Sequence, residues 1–153
     1  MMSRFGHRIM VPDSDAGEMD GLSKWPAHYY RERKHKTPGM LLALARSSQI
    51  HARTMRRYDA IMTPVLAHTT PPLGHLSPTV PFEELFDRLI KYASFTPVNS
   101  ASGCPAISLP MGMSTEGLRI GVQLSAAHGD ERTLLGLAYA LEVGKGWPRI
   151  QEL

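Results

Sequence analysis

Residues 99–110 read N-S-A-S-G-C-P-A-I-S-L-P, and residues 117–124 read G-L-R-I-G-V-Q-L. Each segment combines glycine or proline with a short apolar run. The first predicts a strand over residues 106–109, because a proline stands on either side of it, and the alternation in the second predicts a longer strand over residues 117–126. Gly117 can adopt the positive φ of a turn, so we expect a hairpin-like link between the two strands.

Three amphipathic helices are predicted around this pair of strands. They cover residues 40–57, residues from 82 to before Pro97, and a final stretch that Asp130 caps and Gly144 ends. Their expected apolar faces are Leu41, Leu44, Ala45, Ser48, Ala52 and Met55 in the first, Phe82, Leu85, Phe86, Leu89 and Ile90 in the second, and Leu134, Leu137, Ala138 and Leu141 in the third.

A third strand is predicted over residues 58–63, and the segment that follows is rich in proline. Pro64 ends the strand because it cannot donate to a ladder of hydrogen bonds. The density of prolines over residues 64–81 predicts an ordered but irregular loop.

Helices that alternate with short strands predict an α/β fold, with few strands flanked by helices. Three strands are fewer than the roughly 5–6 of an average sheet, so we expect the fold to be incomplete on its own. Weak periodicity before the T-P-G of residues 37–39 predicts an irregular basic lead-in over residues 1–38, followed by a folded segment over residues 39–153.

The composition of the 153-residue chain is that of a globular domain, with 42% apolar residues. No apolar run approaches the roughly 20 residues that cross a bilayer, and no secretory signal is visible, so we expect no membrane partner. Cys104 is the single cysteine and has no partner for an internal disulfide. That fits a reducing cytosol and equally a cysteine-poor secreted protein, and we expect a cytoplasmic location.

Charge is distributed unevenly along the chain. Residues 1–57 contain 11 Lys/Arg and 5 Asp/Glu, whereas residues 58–153 contain 6 and 9. The basic half can be interpreted as a nucleic-acid patch or as a solvated helix face with a basic loop. We favour the second interpretation and expect no nucleic-acid partner, because no DNA-binding motif and no interleaved aromatic residues accompany the charge.

Several short motifs follow one another from about residue 40 to the end of the chain. They are a helix with Arg53 and Arg57 near its end, Y-D-A-I-M-T-P at residues 58–64, P-P-L-G at residues 71–74, F-T-P-V-N at residues 95–99, G-C-P-A-I-S-L-P at residues 103–110, G-L-R-I-G-V-Q-L at residues 117–124, G-D-E-R-T-L-L-G-L-A at residues 129–138, and L-E at residues 141–142. In this order they resemble the C-terminal third of the amidase signature family. Trp147-Pro148 resembles the branch that includes 6-aminohexanoate-cyclic-dimer hydrolases, and Arg119 departs from the proline that the family usually has there.

This resemblance implies an amide-bond hydrolase that uses a Ser-Ser-Lys triad. It implies that residues 39–153 form the C-terminal part of the family's mixed-sheet fold. The family's Gly-Gly-Ser-Ser-like segment and its base lysine have no counterpart in this sequence, so we expect no catalytic residue here. We also expect no cofactor and no metal.

By the same resemblance, part of the substrate-pocket wall is expected in this chain, and the loop over residues 64–81 would help to shape it. The residues expected at this wall are Asn99, Ser102, Gly103, Cys104 and Pro105. For Asn99 and Gln123 we favour a structural role, in which their amides tie loops to strands by hydrogen bonds. Gly103 and Gly121 are expected to permit close packing or special φ angles.

Three chemical alternatives remain from the residues alone, and we favour the structural interpretation of each. Ser100 or Ser102 with His128 and Asp130 would make a Ser-His-Asp set, but the segment lacks a G-x-S-x-G elbow, and these serines are expected to be loop residues that bond nearby backbone. Cys104 is expected to be a small buried thiol rather than a nucleophile. His68 and His75 lack further ligands at metal spacing.

The function expected from the sequence is that of a C-terminal fragment of an amidase, which supplies scaffold and pocket wall and is itself inactive. The substrate of the complete enzyme would be a small-molecule amide, and the expected partners are a missing N-terminal catalytic half or a second copy of the chain. The alternative is a non-catalytic binding or structural subunit that docks a partner through its basic segment and an exposed apolar sheet face.

Overall fold

Three strands form one antiparallel sheet in the computed structural model, which describes residues 34–147. A 3₁₀ turn (Lys34–Lys36) precedes the other elements. These are α1 (Thr37–Met55), β1 (Ile61–Pro64), α2 (Phe82–Tyr92), α3 (Pro97–Ser102), β2 (Ala106–Met113), β3 (Arg119–Ser125) and α4 (Glu131–Lys145). The α/β class with few strands is therefore confirmed. Most of the predicted lead-in lies outside the described residues.

The described residues fall into two compact units. One comprises residues 34–41 and 72–90, and the other comprises residues 42–71 and 91–147. The sheet belongs to the second, larger unit. Among residues 34–147, no helix has both the length and the apolar character that crossing a membrane requires.

Strand β3 lies at the centre of the sheet, in the order β1-β3-β2. Strand β1 pairs with the second half of β3, from Ile61 opposite Ser125 to Pro64 opposite Val122. Strand β2 pairs along its whole length, with an irregularity between Leu109 and Gly112. Residues 63, 123 and 108 therefore lie side by side across the three strands. Two positions along β3, residues 61, 125 and 106 do the same.

The predicted hairpin joins β2 to β3. The Ser114 N–H donates to the Leu118 carbonyl at 2.7 Å, and the Ser114 hydroxyl accepts from the Leu118 N–H at 3.0 Å. Gly117 has a φ of 79°, as its place in a tight turn requires. The link is thus closed by local hydrogen bonds.

One face of the sheet packs against α4 to make the apolar core of the larger unit. The buried members are Leu109, Leu124, Ala126, Leu134 and Ala138, and Ile107, Met111, Leu141 and Trp147 pack around them. Asp130 caps α4, as predicted, by accepting a hydrogen bond from the Thr133 N–H at 3.4 Å. The helix continues past Gly144 to Lys145, because Gly146 provides the closing bond to the Glu142 carbonyl at 2.8 Å.

In the smaller unit, Arg88 holds the loop before α2 to that helix. Its guanidinium donates to the His75 carbonyl at 2.6 Å and to the Glu84 carboxylate at 2.5 Å. Leu85 is buried, and its N–H donates to the Pro81 carbonyl at 2.9 Å. Helix α2 ends before Pro97, as predicted.

Several predicted boundaries are wrong. Helix α1 starts three residues early, at Thr37, because proline is compatible with the first turn of a helix. Strand β2 continues through Pro110 to Met113, which an edge strand tolerates because its outer N–H groups need no partner in the sheet. Residues 97–102 form α3, where loop residues were predicted. Residues 65–81 contain no helix or strand, which confirms the irregular loop.

The expected apolar face of α1 is largely exposed. Met55 is buried, but Leu41 and Leu44 are 58% and 51% exposed, and the neighbouring Leu42 is 51% exposed. The arginines of this helix are exposed as well, as a solvated basic face requires. Full burial of a leucine side chain contributes about 1.5–3 kcal/mol, and these half-exposed leucines gain only part of it.

Replacing Leu134 by alanine should destabilise the larger unit by about 2–5 kcal/mol, because its side chain is 3% exposed in the core. Leu135 is the matched control, since it is the next residue of the same helix and is 51% exposed. Urea unfolding followed by circular dichroism measures both. Equal losses for Leu134→Ala and Leu135→Ala would contradict the packing described.

The isolated chain should bind an apolar fluorescent dye or self-associate, because α1 leaves leucines in water. The double substitution Leu41→Glu/Leu44→Glu should reduce both, measured by dye fluorescence and sedimentation velocity. Gln49→Glu is the control, since it adds charge to the same exposed helix without removing apolar surface. A monodisperse wild-type monomer that binds no dye would refute this expectation.

Candidate functional site

The six-residue helix α3 brings the expected pocket-wall residues to the sheet. Pro97 occupies its first turn, where a fixed φ favours the helix and the missing N–H costs nothing. Gly103 ends it in the left-handed region, with a φ of 72°, and its N–H donates to the Asn99 carbonyl at 2.9 Å. Asn99 and Ser102 are three residues apart, share one face of the helix and are both buried.

A buried hydrogen-bond network joins α3 to β3. Asn99 Nδ2 donates to Ser125 Oγ at 2.9 Å, and Gln123 Nε2 donates to Asn99 Oδ1 at 3.1 Å. Ser125 Oγ also lies 3.3 Å from Asn99 Oδ1. The three residues are only 5–8% exposed, so these bonds replace water that cannot reach the side chains. The structure confirms that the amides of Asn99 and Gln123 tie the segment to the strand.

The residues after α3 are held by backbone contacts. Ser102 Oγ donates to the Asn99 carbonyl at 3.4 Å, and Cys104 is buried and unpaired. The Pro105 carbonyl accepts from the Ala126 N–H at 3.2 Å, which fixes the path of the chain beyond β3. These contacts position residues 102–105 but leave no exposed hydroxyl or thiol among them.

The structure does not assemble the alternative Ser-His-Asp set. Asp130 uses its carboxylate to cap α4, and Ser102 bonds to its own helix. His128 is exposed and lies beside Gly103, where an added Cβ would be 3.7 Å from Nε2. Within residues 34–147, no hydrogen bond links His128 to Ser100, Ser102 or Asp130. Relay of a proton from serine through this imidazole therefore has no geometric basis.

His68 is the histidine of the proline-rich loop that lies in the larger unit, and it contacts neighbouring residues. His68 Nδ1 donates to the Thr69 carbonyl at 2.8 Å, and its ring centroid lies 4.8 Å from that of Tyr92. Among the described residues, no group of three or more His, Cys, Asp or Glu side chains is arranged to hold a metal ion.

A pocket that the sequence did not reveal lies at the first residues of β3, away from the Asn99 network at the strand's last residues. We call it the Arg119 pocket. It is lined by residues 64, 66–70 and 119–121, and has a volume of about 270 Å³. The absence of a side chain at Gly121 allows β1 and β3 to approach closely here, since a Cβ would lie 2.9 Å from Val65 Cγ2. The only sequence signal was Arg119, which departs from the motif.

Replacing Asn99 by alanine should cost about 2–3 kcal/mol of unfolding free energy, because the amide of Gln123 and the hydroxyl of Ser125 lose their partner while they remain buried. Ser100→Ala is the matched control, since Ser100 is exposed in the same helix and should change stability by about 0.5 kcal/mol or less. Chemical denaturation measures both variants. An Asn99→Ala chain as stable as Ser100→Ala would show that the network contributes nothing.

Comparison with known proteins identifies relatives for nearly the whole chain. A putative amidase AmiC of Mycobacterium tuberculosis is 38% identical over 150 residues, which is 96% of this chain and 31% of that relative. The 6-aminohexanoate-cyclic-dimer hydrolase of Paenarthrobacter ureafaciens is 38% identical over 97 residues, which is 59% of this chain and 20% of that protein. The chain thus spans about a third of the length of the first of these relatives.

Solved structures show the same likeness. The 6-aminohexanoate cyclic dimer hydrolase complexed with substrate matches with a TM-score of 0.74 and 29% identity, over 95% of this chain and 32% of that chain. A glutamyl-tRNA(Gln) amidotransferase subunit of Thermotoga maritima, at 20% identity and a TM-score of 0.61, shares the fold over 97% of this chain and 33% of that chain. A family model described as Amidase matches residues 23–135. The chain belongs to the amidase family.

Proposed function

We propose that this chain supplies part of the scaffold and part of the substrate-pocket wall of an amidase, and that it does not hydrolyse amides by itself. The observation that carries the proposal is the buried Asn99–Gln123–Ser125 network, which fixes α3, the helix that contains the wall residues Asn99 and Ser102, to β3. The family membership supports the reaction class, and the share of the relatives that the chain spans supports a partial role. We further propose that the segment with this role is residues 39–153 and that it acts in the cytoplasm.

Amide hydrolysis through an acylated serine needs an activated hydroxyl, a base within hydrogen-bond reach, and donors for the oxyanion. Ser102 and Cys104 of the proposed wall are buried, and the Ser102 hydroxyl already donates to the Asn99 carbonyl. The carboxylate of Asp130 is used as a helix cap. The nucleophile, the base and the oxyanion donors of the proposed reaction would therefore come from outside the residues that the structure describes.

The proposed wall consists of Asn99, Ser102, Gly103, Cys104 and Pro105. A buried, hydrogen-bonded support keeps such a wall in one position before substrate arrives, which is what orientation of an amide requires. Gly103 has a backbone shape that other residues adopt only at a cost of about 1–2 kcal/mol. A Cβ at this position would meet His128 Nε2 only at an ordinary van der Waals distance of 3.7 Å, so the cost is that of the backbone shape.

The test joins this chain to a catalytic segment. A chimera would carry the first two thirds of the mycobacterial relative followed by this chain, and would be assayed on hexanamide and acetamide. We expect turnover by the chimera and none by this chain alone. Turnover by the chain alone, abolished by Ser102→Ala, would overturn the proposal.

Within the chimera, Gly103→Ala should lower kcat/KM by about fivefold. Alanine is strained at a positive φ, so the backbone of the wall must shift to relieve that strain. Gly117→Ala is the matched control: Gly117 has a similar φ of 79°, with open space around it, in the hairpin away from the wall. It should lose similar stability and keep its kcat/KM. Equal activity losses would show that Gly103 matters only for folding.

A non-catalytic subunit is the second candidate, and the exposed leucines of α1 favour it. Such a subunit would dock a partner through this helix without contributing to a substrate pocket. The same chimera separates the two candidates, since a docking subunit predicts that Gly103→Ala leaves kcat/KM unchanged.

A further inference from the structure

The Arg119 pocket combines an apolar surface with unpaired hydrogen-bond donors. Its apolar part comes from Pro64, Leu66, Ala67 and Ile120. Arg119 contributes a guanidinium that forms no ion pair or hydrogen bond with any residue of the described range 34–147. Such a group remains positively charged throughout the physiological pH range.

The polar groups of the pocket are all donors or neutral. Thr69 and Thr70 are exposed and add hydroxyls that can donate hydrogen bonds, and no Asp or Glu lines the pocket. A positive charge with two hydroxyls and no carboxylate favours an anion. Arginine in particular presents a planar fork of N–H groups that matches a carboxylate.

The walls of the pocket are held in place before any ligand arrives. The Val65 N–H donates to the Gly121 carbonyl at 3.1 Å, and the Ala67 N–H donates to the Tyr92 carbonyl at 3.0 Å. His68 is fixed further by its bond to the Thr69 carbonyl. A pocket whose backbone is already ordered loses less entropy when it binds a ligand.

We propose that the Arg119 pocket binds a small organic anion, a carboxylate on a short hydrocarbon chain, with Arg119 pairing with the carboxylate and the apolar wall contacting the chain. The volume of about 270 Å³ lies just below the usual range of about 300–1,000 Å³ for ligand pockets, which suits an acid of a few carbons rather than a nucleotide. An inorganic ion would leave the apolar wall without a partner. The inference does not depend on the proposed function, because binding at this pocket needs no catalytic residue.

Binding of hexanoate to the purified full chain tests this proposal, measured by calorimetry and by ligand-observed NMR. Hexanamide is the neutral ligand of similar size, and acetate and inorganic phosphate are anions without the hydrocarbon chain. We expect hexanoate to bind at least about threefold more tightly than each of these, and its affinity to fall with added salt. Phosphate or hexanamide binding as tightly as hexanoate would overturn the proposal.

Substitutions then locate the site. Arg119→Gln should weaken hexanoate binding by about threefold to fivefold, the value of a partly exposed ion pair, and leave hexanamide binding unchanged. Arg119→Lys should retain part of the preference, because it keeps the charge without the fork. Arg132→Gln is the matched control, since it removes an exposed arginine from α4, outside the pocket. Equal losses for Arg119→Gln and Arg132→Gln would show a general charge effect and no site.

Discussion

The larger unit depends on burying both faces of one strand, β3, which pairs on each side with a neighbour. Successive side chains of a strand point to opposite faces, so Leu124 and Gln123 meet different surroundings. Leu124 enters the apolar core against α4, whereas Gln123 and Ser125 turn to the face that α3 covers. An amide and a hydroxyl on that face require buried partners, and Asn99 provides them. Burial of apolar side chains thus holds α4 to one face of β3, and buried hydrogen bonds hold α3 to the other face.

This arrangement separates two regions along the same strand. At the last residues of β3, the Asn99 network fixes the segment that we propose as a pocket wall. At its first residues, Arg119 and the loop after β1 form an open pocket with a positive charge. The first region has its buried side-chain amides paired, which suits the positioning role that we propose for it. The second offers an exposed guanidinium, which suits the binding role that we propose.

Much of the fold was predictable because local chemistry decides it. The alternation in residues 117–126 predicted a strand, Pro64 predicted the end of another, which begins at Ile61 rather than Tyr58, and Asp130 predicted a helix cap that the structure confirms. Helix α3 was missed because six residues are too few to show a helical period, and Pro97 was interpreted as a stop although it also suits a helix start. The amides of Asn99 and Gln123 were expected to tie loop to strand, but their mutual contact joins residues 24 apart, and no local pattern encodes such a distance. The Arg119 pocket was missed for the same reason, since residues 64–70 and 119–121 form it together.

The family, the α/β class and the lack of a counterpart to the family's catalytic serine segment and base lysine were all readable in the amino-acid sequence. These follow from motifs and periodicities, which are properties of neighbouring residues. Only the tertiary structure decided which polar residues are satisfied and which are available. Gln123 is buried, so its amide needs a hydrogen-bond partner within the protein and has a structural role. Arg119 lies in an open pocket, so its guanidinium is a candidate ligand-binding group. Burial depends on contacts between distant segments, and the free energy of a polar group depends on its burial.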